Sequence, residues 1–156
     1  MISIEERLRE LNIDLPPAPR PVGRFVHGVQ HGQLLFMSGQ GPLREDGSLA
    51  RGKVGADVSL EEARLHARCV GLVLVSAMRE MAGSLERIDR VIKLRGMVNA
   101  VPEFQDHPQV IDGCSDLLHD IFGARGEHAR SAIGVASLPG GISVEIEAIV
   151  AVKPDN

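Results

Sequence analysis

One stretch, residues 128–152, constrains the fold more than any other part of the chain. From Ile142 to Val152 apolar and polar residues alternate, with Glu145 and Glu147 on the polar side, which is typical of a strand with one buried face. Residues 128–137 also read as a strand, and residues 138–141 (Leu-Pro-Gly-Gly) can form a tight turn, because proline fixes one φ and glycine allows positive φ. The sequence therefore predicts an antiparallel hairpin over this stretch.

The register of the predicted hairpin brings charged residues onto one face. If Ser137 pairs with Ile142, Arg130 shares a face with Glu145 and Glu147. The other residues predicted on that face are small: Ala132, Gly134 and Ala136. This face could be the floor of a binding site, or it could hold an ordinary cross-strand ion pair. Within one chain that pair would be Arg130–Glu147, about 7 Å apart at Cα, whereas Arg130 and Glu145, roughly 13 Å apart, would meet more readily across a subunit boundary.

The composition narrows the class of protein. A chain of 156 residues with 44% hydrophobic and 24% charged residues fits one globular domain over residues 1–156. A net charge of −4 without any Trp or Tyr argues against a nucleic-acid partner, and the apolar run Val70–Ala77 is too short to cross a membrane. Cys69 and Cys114 have no disulfide or metal spacing, so a cytoplasmic protein with reduced thiols is expected.

The remaining pattern alternates short strands with two main helices. Residues 1–20 are predicted to be an N-terminal helix, starting at the Ser3/Glu6 capping box, followed by a proline-rich lead-in. A second capping box at Ser59 and Glu62 and a glycine at position 83 bound the main helix. The other predicted elements are strands over 24–30, 33–38 and 91–100 and a helix over about 109–122. This order predicts an α+β fold whose mostly antiparallel sheet carries both main helices on one face.

The second predicted strand holds two further features. Its apolar run, residues 34–37 (Leu-Leu-Phe-Met), indicates a central strand buried on both faces. The strand ends in Ser38 and Gly39, where a glycine could let the backbone approach a ligand closely, or where the chain could simply turn.

Known catalytic and metal motifs are missing from the sequence. The six histidines are scattered, and neither a zinc-binding pair, a G-x-S-x-G nucleophile nor a phosphate loop is found. No metal or cofactor is therefore predicted. What remains is Arg130, whose planar guanidinium could bind a substrate carboxylate, and a nearby glutamate that could act as general base.

Three segments resemble the YjgF/Rid (reactive intermediate deaminase) family, once labelled L-PSP endoribonucleases. Residues 21–29 resemble its Gly-x-Tyr-x-x-x-Val strand, and residues 35–40 its Ser-Gly-Gln strand end. Residues 129–139 with 144–148 resemble its signature hairpin, including the spacing from arginine to the first glutamate. The resemblance covers about residues 20–153, and the chain is most similar to a subgroup with an N-terminal helix.

The resemblance implies a chorismate-mutase-like fold and a homotrimer with clefts between subunits. It also implies hydrolysis of reactive enamines and imines to 2-oxo acids and ammonia, without metal or bound cofactor. In that chemistry Arg130 would hold the substrate carboxylate, Glu145 would position or activate water, and Ser38 would line the cleft. The resemblance thus implies a small imine, enamine or carboxylate ligand and further copies of the chain as partners, while the composition predicts no nucleic-acid or membrane partner.

The chain departs from the family pattern at its accessory polar positions. Phe25 stands where the family has a tyrosine, and Ala132 where it commonly has a cysteine. The helix asparagine of the deaminases is matched best by Ser115 and second by Asp112. A non-catalytic carboxylate-binding trimer is therefore the alternative to an imine deaminase, and a ribonuclease is the least favoured function because the chain is acidic and poor in aromatic residues.

Overall fold

Three helices begin and end close to the predicted signals. The computed structural model describes residues 2–154, with α1 at Ile4–Glu10, α2 at Leu60–Ala82 and α3 at His107–Phe122. Both capping boxes form, with Ser3 and Ser59 accepting the N–H groups of Glu6 and Glu62, and Gly83 ends α2 at φ 79°. The third helix begins two residues earlier than predicted because a proline is well tolerated in its first turn.

Five strands form one sheet in the order β1-β2-β5-β3-β4. Their bounds are Gly28–His31 (β1), Leu34–Gln40 (β2), Ile88–Asn99 (β3), Ala129–Val135 (β4) and Val144–Val152 (β5). Within residues 2–154, three of the four strand pairings are antiparallel and the β3–β4 pairing is parallel. The sheet is therefore mixed, and α3 is the crossover between its two parallel strands.

The predicted hairpin over residues 128–152 is wrong, because β3 lies between β4 and β5. Gly140 and Gly141 do turn the chain, with φ 64° and 70°, but residues 136–143 cross the end of β3 instead of joining neighbouring strands. This crossing is held by Lys53, whose Nζ donates to Asn99 Oδ1 at 2.9 Å and to the Ala136 carbonyl at 2.6 Å. The Asn99 amide donates in turn to the Ile142 carbonyl at 3.2 Å.

The predicted sharing of one face by Arg130 and the two glutamates is wrong for the same reason. Arg130 lies opposite Leu94 of β3, which is fully buried against the helices. Glu145 lies opposite Met97, on the face that none of the helices within residues 2–154 covers, named here the open face. The predicted pair Arg130–Glu147 is replaced by Arg95–Glu147, with 3.9 Å between Nη1 and Oε1.

The second strand is buried on one face only, contrary to the prediction from its apolar run. Leu35 and Met37 are buried beneath the helices, whereas Leu34 and Phe36 point to the open face and are exposed. The first strand is also shorter than predicted, beginning at Gly28 instead of Arg24. The open face thus carries exposed apolar side chains within this chain: Val29, Leu34, Phe36 and Ile133.

The core lies between the helix face of the sheet and the helices α2 and α3. The two helices approach closely at Gly113, which has no Cβ; an added Cβ there would lie only 2.0 Å from the Arg64 carbonyl oxygen. Residues from both helices and from β2, β3 and β5 form one buried cluster, including Leu74, Leu94, Leu117, Leu118 and Ile146. None of the helices in the described part of the chain has the length and apolar character needed to cross a membrane.

Candidate functional site

Arg130 is held in place by two side chains of α3. Its Nη1 donates to Asp112 Oδ1 at 2.7 Å and to Ser115 Oγ at 3.2 Å. Asp112 and Ser115 lie three residues apart on the helix, so both face the same strand. The guanidinium side chain is 23% exposed, which leaves it accessible while its position is fixed. Both candidates for the family asparagine, Ser115 and Asp112, therefore lie next to Arg130.

His128 determines the direction of the hydrogen bonds beside Arg130. Its Nδ1 lies 2.6 Å from the Gly126 carbonyl oxygen, and since a carbonyl only accepts, Nδ1 carries the proton. In the neutral ring Nε2 then accepts from the Ser115 hydroxyl at 2.9 Å, which leaves Ser115 Oγ lone pairs for Arg130. Burial lowers the pKa of His128, the Gly126 contact opposes this, and the charge of Arg130 lowers it further.

These residues line a cavity of about 330 Å³ at the edge of the sheet, named here the arginine half-site. Its lining consists of Ser115, Asp116, His119, Gly126, Glu127, His128 and Arg130. His128 was not among the residues predicted to form the site. A signal was present, because His128 and Arg130 are two apart in the strand predicted over residues 128–137, where alternate residues point to the same side.

Glu145 lies on the opposite face and beside the backbone of β2. A Cβ added at Gly39 would lie 2.9 Å from Glu145 Oε1, so any other residue at this position would require the Glu145 side chain to shift. The glycine of the Ser38-Gly39 strand end thus makes room for a carboxylate of its own chain. Partial burial raises the pKa of Glu145 above its ordinary value, and the nearby charge of Glu147 adds to this rise.

Glu145 lines a second cavity of about 530 Å³, named here the glutamate half-site. Phe25 also lines this cavity, so the structure brings together two predicted site residues there. Its other lining residues are Pro19, Arg20, Pro21, Val22, His27, Gly39, Gln40, Gly41, Leu43, Gly47, Leu49 and Pro139.

The remaining two predicted site residues have structural partners. The Ser38 hydroxyl donates to the Val26 carbonyl at 2.6 Å, and its backbone N–H donates to the His27 carbonyl at 2.8 Å. Ala132 lies two residues after Arg130 on the same side of β4 and packs against the hydrophobic core. Neither residue is among those that line the two half-sites.

The two half-sites share no residue and belong to opposite faces of the sheet. A reaction that uses Arg130 together with Glu145 would therefore need the arginine half-site of one chain to face the glutamate half-site of another. For metal binding the described residues offer no support, since no three His, Cys, Asp or Glu side chains within 2–154 converge on one point.

The fold and the two charged half-sites define an α+β protein of the chorismate-mutase-like type. Comparison with known proteins gives the same class. Residues 5–143 match the family described as "YjgF/chorismate_mutase-like, putative endoribonuclease". The chain therefore belongs to the YjgF/Rid family, and the resemblance found in the sequence is confirmed.

Three individual proteins illustrate the range of this similarity. Protein TCP17 of Trypanosoma cruzi is 40% identical over 148 residues, which are 94% of this chain and 92% of TCP17. The crystal structure of Atu1372 from Agrobacterium tumefaciens, a protein of unknown function, is 41% identical with a TM-score of 0.87, covering 96% of this chain and 94% of that one. A 2-iminobutanoate/2-iminopropanoate deaminase of Dermatophagoides farinae is 26% identical, covering 90% of this chain and 95% of its own.

Proposed function

We propose that this protein hydrolyses reactive enamines and imines to 2-oxo acids and ammonia, in clefts between the chains of a cytoplasmic homotrimer. The observation that carries the proposal is the division of Arg130 and Glu145 between opposite faces of one sheet. A fixed cation and a poorly solvated carboxylate are the two groups that an imino acid needs, one for its carboxylate and one for the attacking water. The deaminase named among the relatives supports the same chemistry.

Arg130 binds the substrate carboxylate in this proposal. Within residues 2–154 both hydrogen bonds of its guanidinium start at Nη1, so Nη2 and Nε remain for the two oxygens of a ligand. Asp112 and Ser115 hold the fork in one orientation, which lowers the entropy cost of forming two parallel hydrogen bonds.

Glu145 takes a proton from water as the water oxygen bonds to the imine carbon. The electron pair of the C=N bond moves to the nitrogen of the protonated imine, which gives a neutral carbinolamine. Glu145 then returns its proton to this nitrogen, the C–N bond breaks to release ammonia, and the Glu145 carboxylate takes the hydroxyl proton as the 2-oxo acid forms. A carboxylate whose pKa is raised by burial and by Glu147 is a better base and holds the transferred proton more readily at neutral pH.

The open face supports assembly with further copies of the chain. It carries the exposed apolar side chains Val29, Leu34, Phe36 and Ile133, and partner subunits commonly cover such faces. A homotrimer would bring the arginine half-site of one copy against the glutamate half-site of the next. The proposed chemistry uses water and the chain's own side chains and involves no nucleic acid or membrane.

The test couples the purified protein to a threonine dehydratase or an amino-acid oxidase and follows release of the 2-oxo acid. We expect Arg130→Ala and Glu145→Gln each to abolish the acceleration, while Arg79→Ala, which removes an exposed ion pair with Glu5 away from both half-sites, leaves it intact. Unfolding and refolding the two inactive variants together should restore about a quarter of the wild-type activity, because random assortment reunites intact half-sites at that frequency. Equal rates for wild type and Arg130→Ala would contradict the proposal.

A non-catalytic carboxylate-binding trimer is the second candidate. The arginine half-site favours it because Arg130, Asp112 and Ser115 are assembled within one chain, without Glu145. Such a binder would be stabilised thermally by 2-oxobutanoate and would release no keto acid faster than the uncatalysed reaction. Absence of a thermal shift across a panel of small carboxylates would exclude this candidate.

A further inference from the structure

The glutamate half-site has an apolar wall that the proposed chemistry does not use. Pro21, Phe25, Leu43, Leu49 and Pro139 line it beside Glu145. The polar side chains of the lining are largely engaged, because His27 and Gln40 are buried and hydrogen-bonded to each other, with 3.1 Å between Nδ1 and Nε2. Arg20 is exposed, so its charged group lies in solvent. A ligand group next to Glu145 therefore meets mainly carbon atoms.

This cavity is large compared with the side chains of the smallest imino acids. A methyl or ethyl side chain has about the volume of one or two water molecules, roughly 30–60 Å³, and the cavity measures about 530 Å³. A small substrate would leave most of the apolar wall uncovered by the ligand. A benzyl or isobutyl group would cover it, which is the favourable arrangement.

We propose that this chain prefers imines and enamines with a large apolar side chain, aromatic or branched aliphatic, over those derived from alanine or 2-aminobutyrate. This inference rests on the proposed function, since it places the reacting carbon at Glu145. Phe25 contributes to the preference because its ring carries no hydroxyl into the cavity. Each methylene buried in a hydrophobic pocket changes discrimination by at least about tenfold, so the preference should exceed tenfold in kcat/KM.

The experiment generates imines with an L-amino-acid oxidase from alanine, 2-aminobutyrate, leucine and phenylalanine, and measures their hydrolysis against trapping by semicarbazide. We expect kcat/KM for the leucine and phenylalanine imines to exceed that for the alanine imine by more than tenfold. Leu49→Ala should lower the values for the two large imines by roughly tenfold and change those for the small imines less than twofold. Leu65→Ala is the matched control, because Leu65 is 64% exposed on α2 and does not line the cavity.

The outcomes separate the two proposals. If no imine of any size is hydrolysed faster, the proposed function fails; if all are hydrolysed with similar kcat/KM, only the size preference is overturned. An equal loss on all four substrates in Leu49→Ala would show that Leu49 has a merely structural role. Val22→Ser, at a 98% exposed lining residue, then repeats the test without a packing defect, and an unchanged ratio of kcat/KM between large and small imines in that variant would overturn the preference. Thermal shifts with phenylpyruvate and pyruvate test the same preference without turnover, and equal shifts would also overturn it.

Discussion

The proton affinity of Glu145 should respond to two neighbouring charges in opposite directions. Glu147 lies two residues away on the same face of β5, about 7 Å along the strand, and its charge is one cause of the raised pKa of Glu145. Because the Glu147 side chain is 46% exposed, the interaction is screened almost as in water and amounts to about 0.6 kcal/mol. Glu147→Gln should therefore lower the pKa of Glu145 and leave the larger part of its rise, which is due to burial, in place.

The measurement is a ¹³C NMR titration of the glutamate carboxyl groups between pH 3 and 8. The pKa of Glu145 should stay above its ordinary value in Glu147→Gln, because burial is the larger cause of the rise. Arg95→Gln provides a control of opposite sign, since it removes the positive charge 3.9 Å from Glu147 and should raise the pKa of Glu145 slightly. A pKa that falls to its ordinary value in Glu147→Gln would refute burial as the main cause, and a pKa that rises there would refute the contribution of Glu147.

Three other properties can be tested without knowing the substrate. Gly113→Ala should cost more than about 2 kcal/mol of unfolding free energy, because the new Cβ would meet the Arg64 carbonyl at 2.0 Å. Chemical denaturation measures this cost beside Gly23→Ala, where the new Cβ would meet only the exposed ring of Phe25, at 3.2 Å. Burial lowers the pKa of His66, the charge of Arg44 lowers it further and Glu62 opposes this. The unfolded chain therefore takes up a proton before the folded chain does, and stability falls as pH drops below about 6.5. Denaturation at pH 7 and 5.5 should show a smaller loss of stability in His66→Gln than in the wild type. Burial raises the pKa of Cys114 to about 12, so a maleimide should label half-exposed Cys69 in the native protein and Cys114 only after unfolding, and equal labelling of the two would contradict the buried position.

Local patterns in the sequence were sufficient to predict most of the elements. The capping boxes at Ser3 and Ser59 and the glycine at 83 depend on neighbours within four residues, so their helices could be located from the sequence. The alternation of β5 likewise reflects a sheet with one buried face. These features are determined by short-range geometry, which the order of residues expresses directly.

The sheet order could not be predicted because it depends on contacts far apart in the chain. The tight turn at Gly140 exists, but the strands on either side of it pair with β3 and not with each other. The residues that hold this arrangement, Lys53 and Asn99, are 46 positions apart. The wrong hairpin placed Arg130 and Glu145 on one face, and the correct topology separates them.

Arg130 and the two glutamates were nevertheless identified as candidate site residues, because charged side chains on otherwise apolar strands are conspicuous in the sequence. The resemblance to the family hairpin then selected Glu145 over Glu147. Their surroundings were not predictable to the same degree. The position of Ser115 and Asp112 beside Arg130 depends on the packing of α3 against β4. The orientation of His128 depends on one backbone carbonyl, that of Gly126, which no residue type reveals.

The central position of β5 has a consequence for the order in which the molecule can form. β1 and β2 pair locally, and β3, α3 and β4 form a continuous parallel unit, but the two groups are joined in the sheet only through Val144–Val152. During synthesis on a ribosome these two groups of strands emerge first, and the edges of β2 and β3 that face each other stay unpaired until β5 is made. The strand that carries Glu145 therefore also completes the sheet, and newly made chains remain open to unintended edge pairing until it docks.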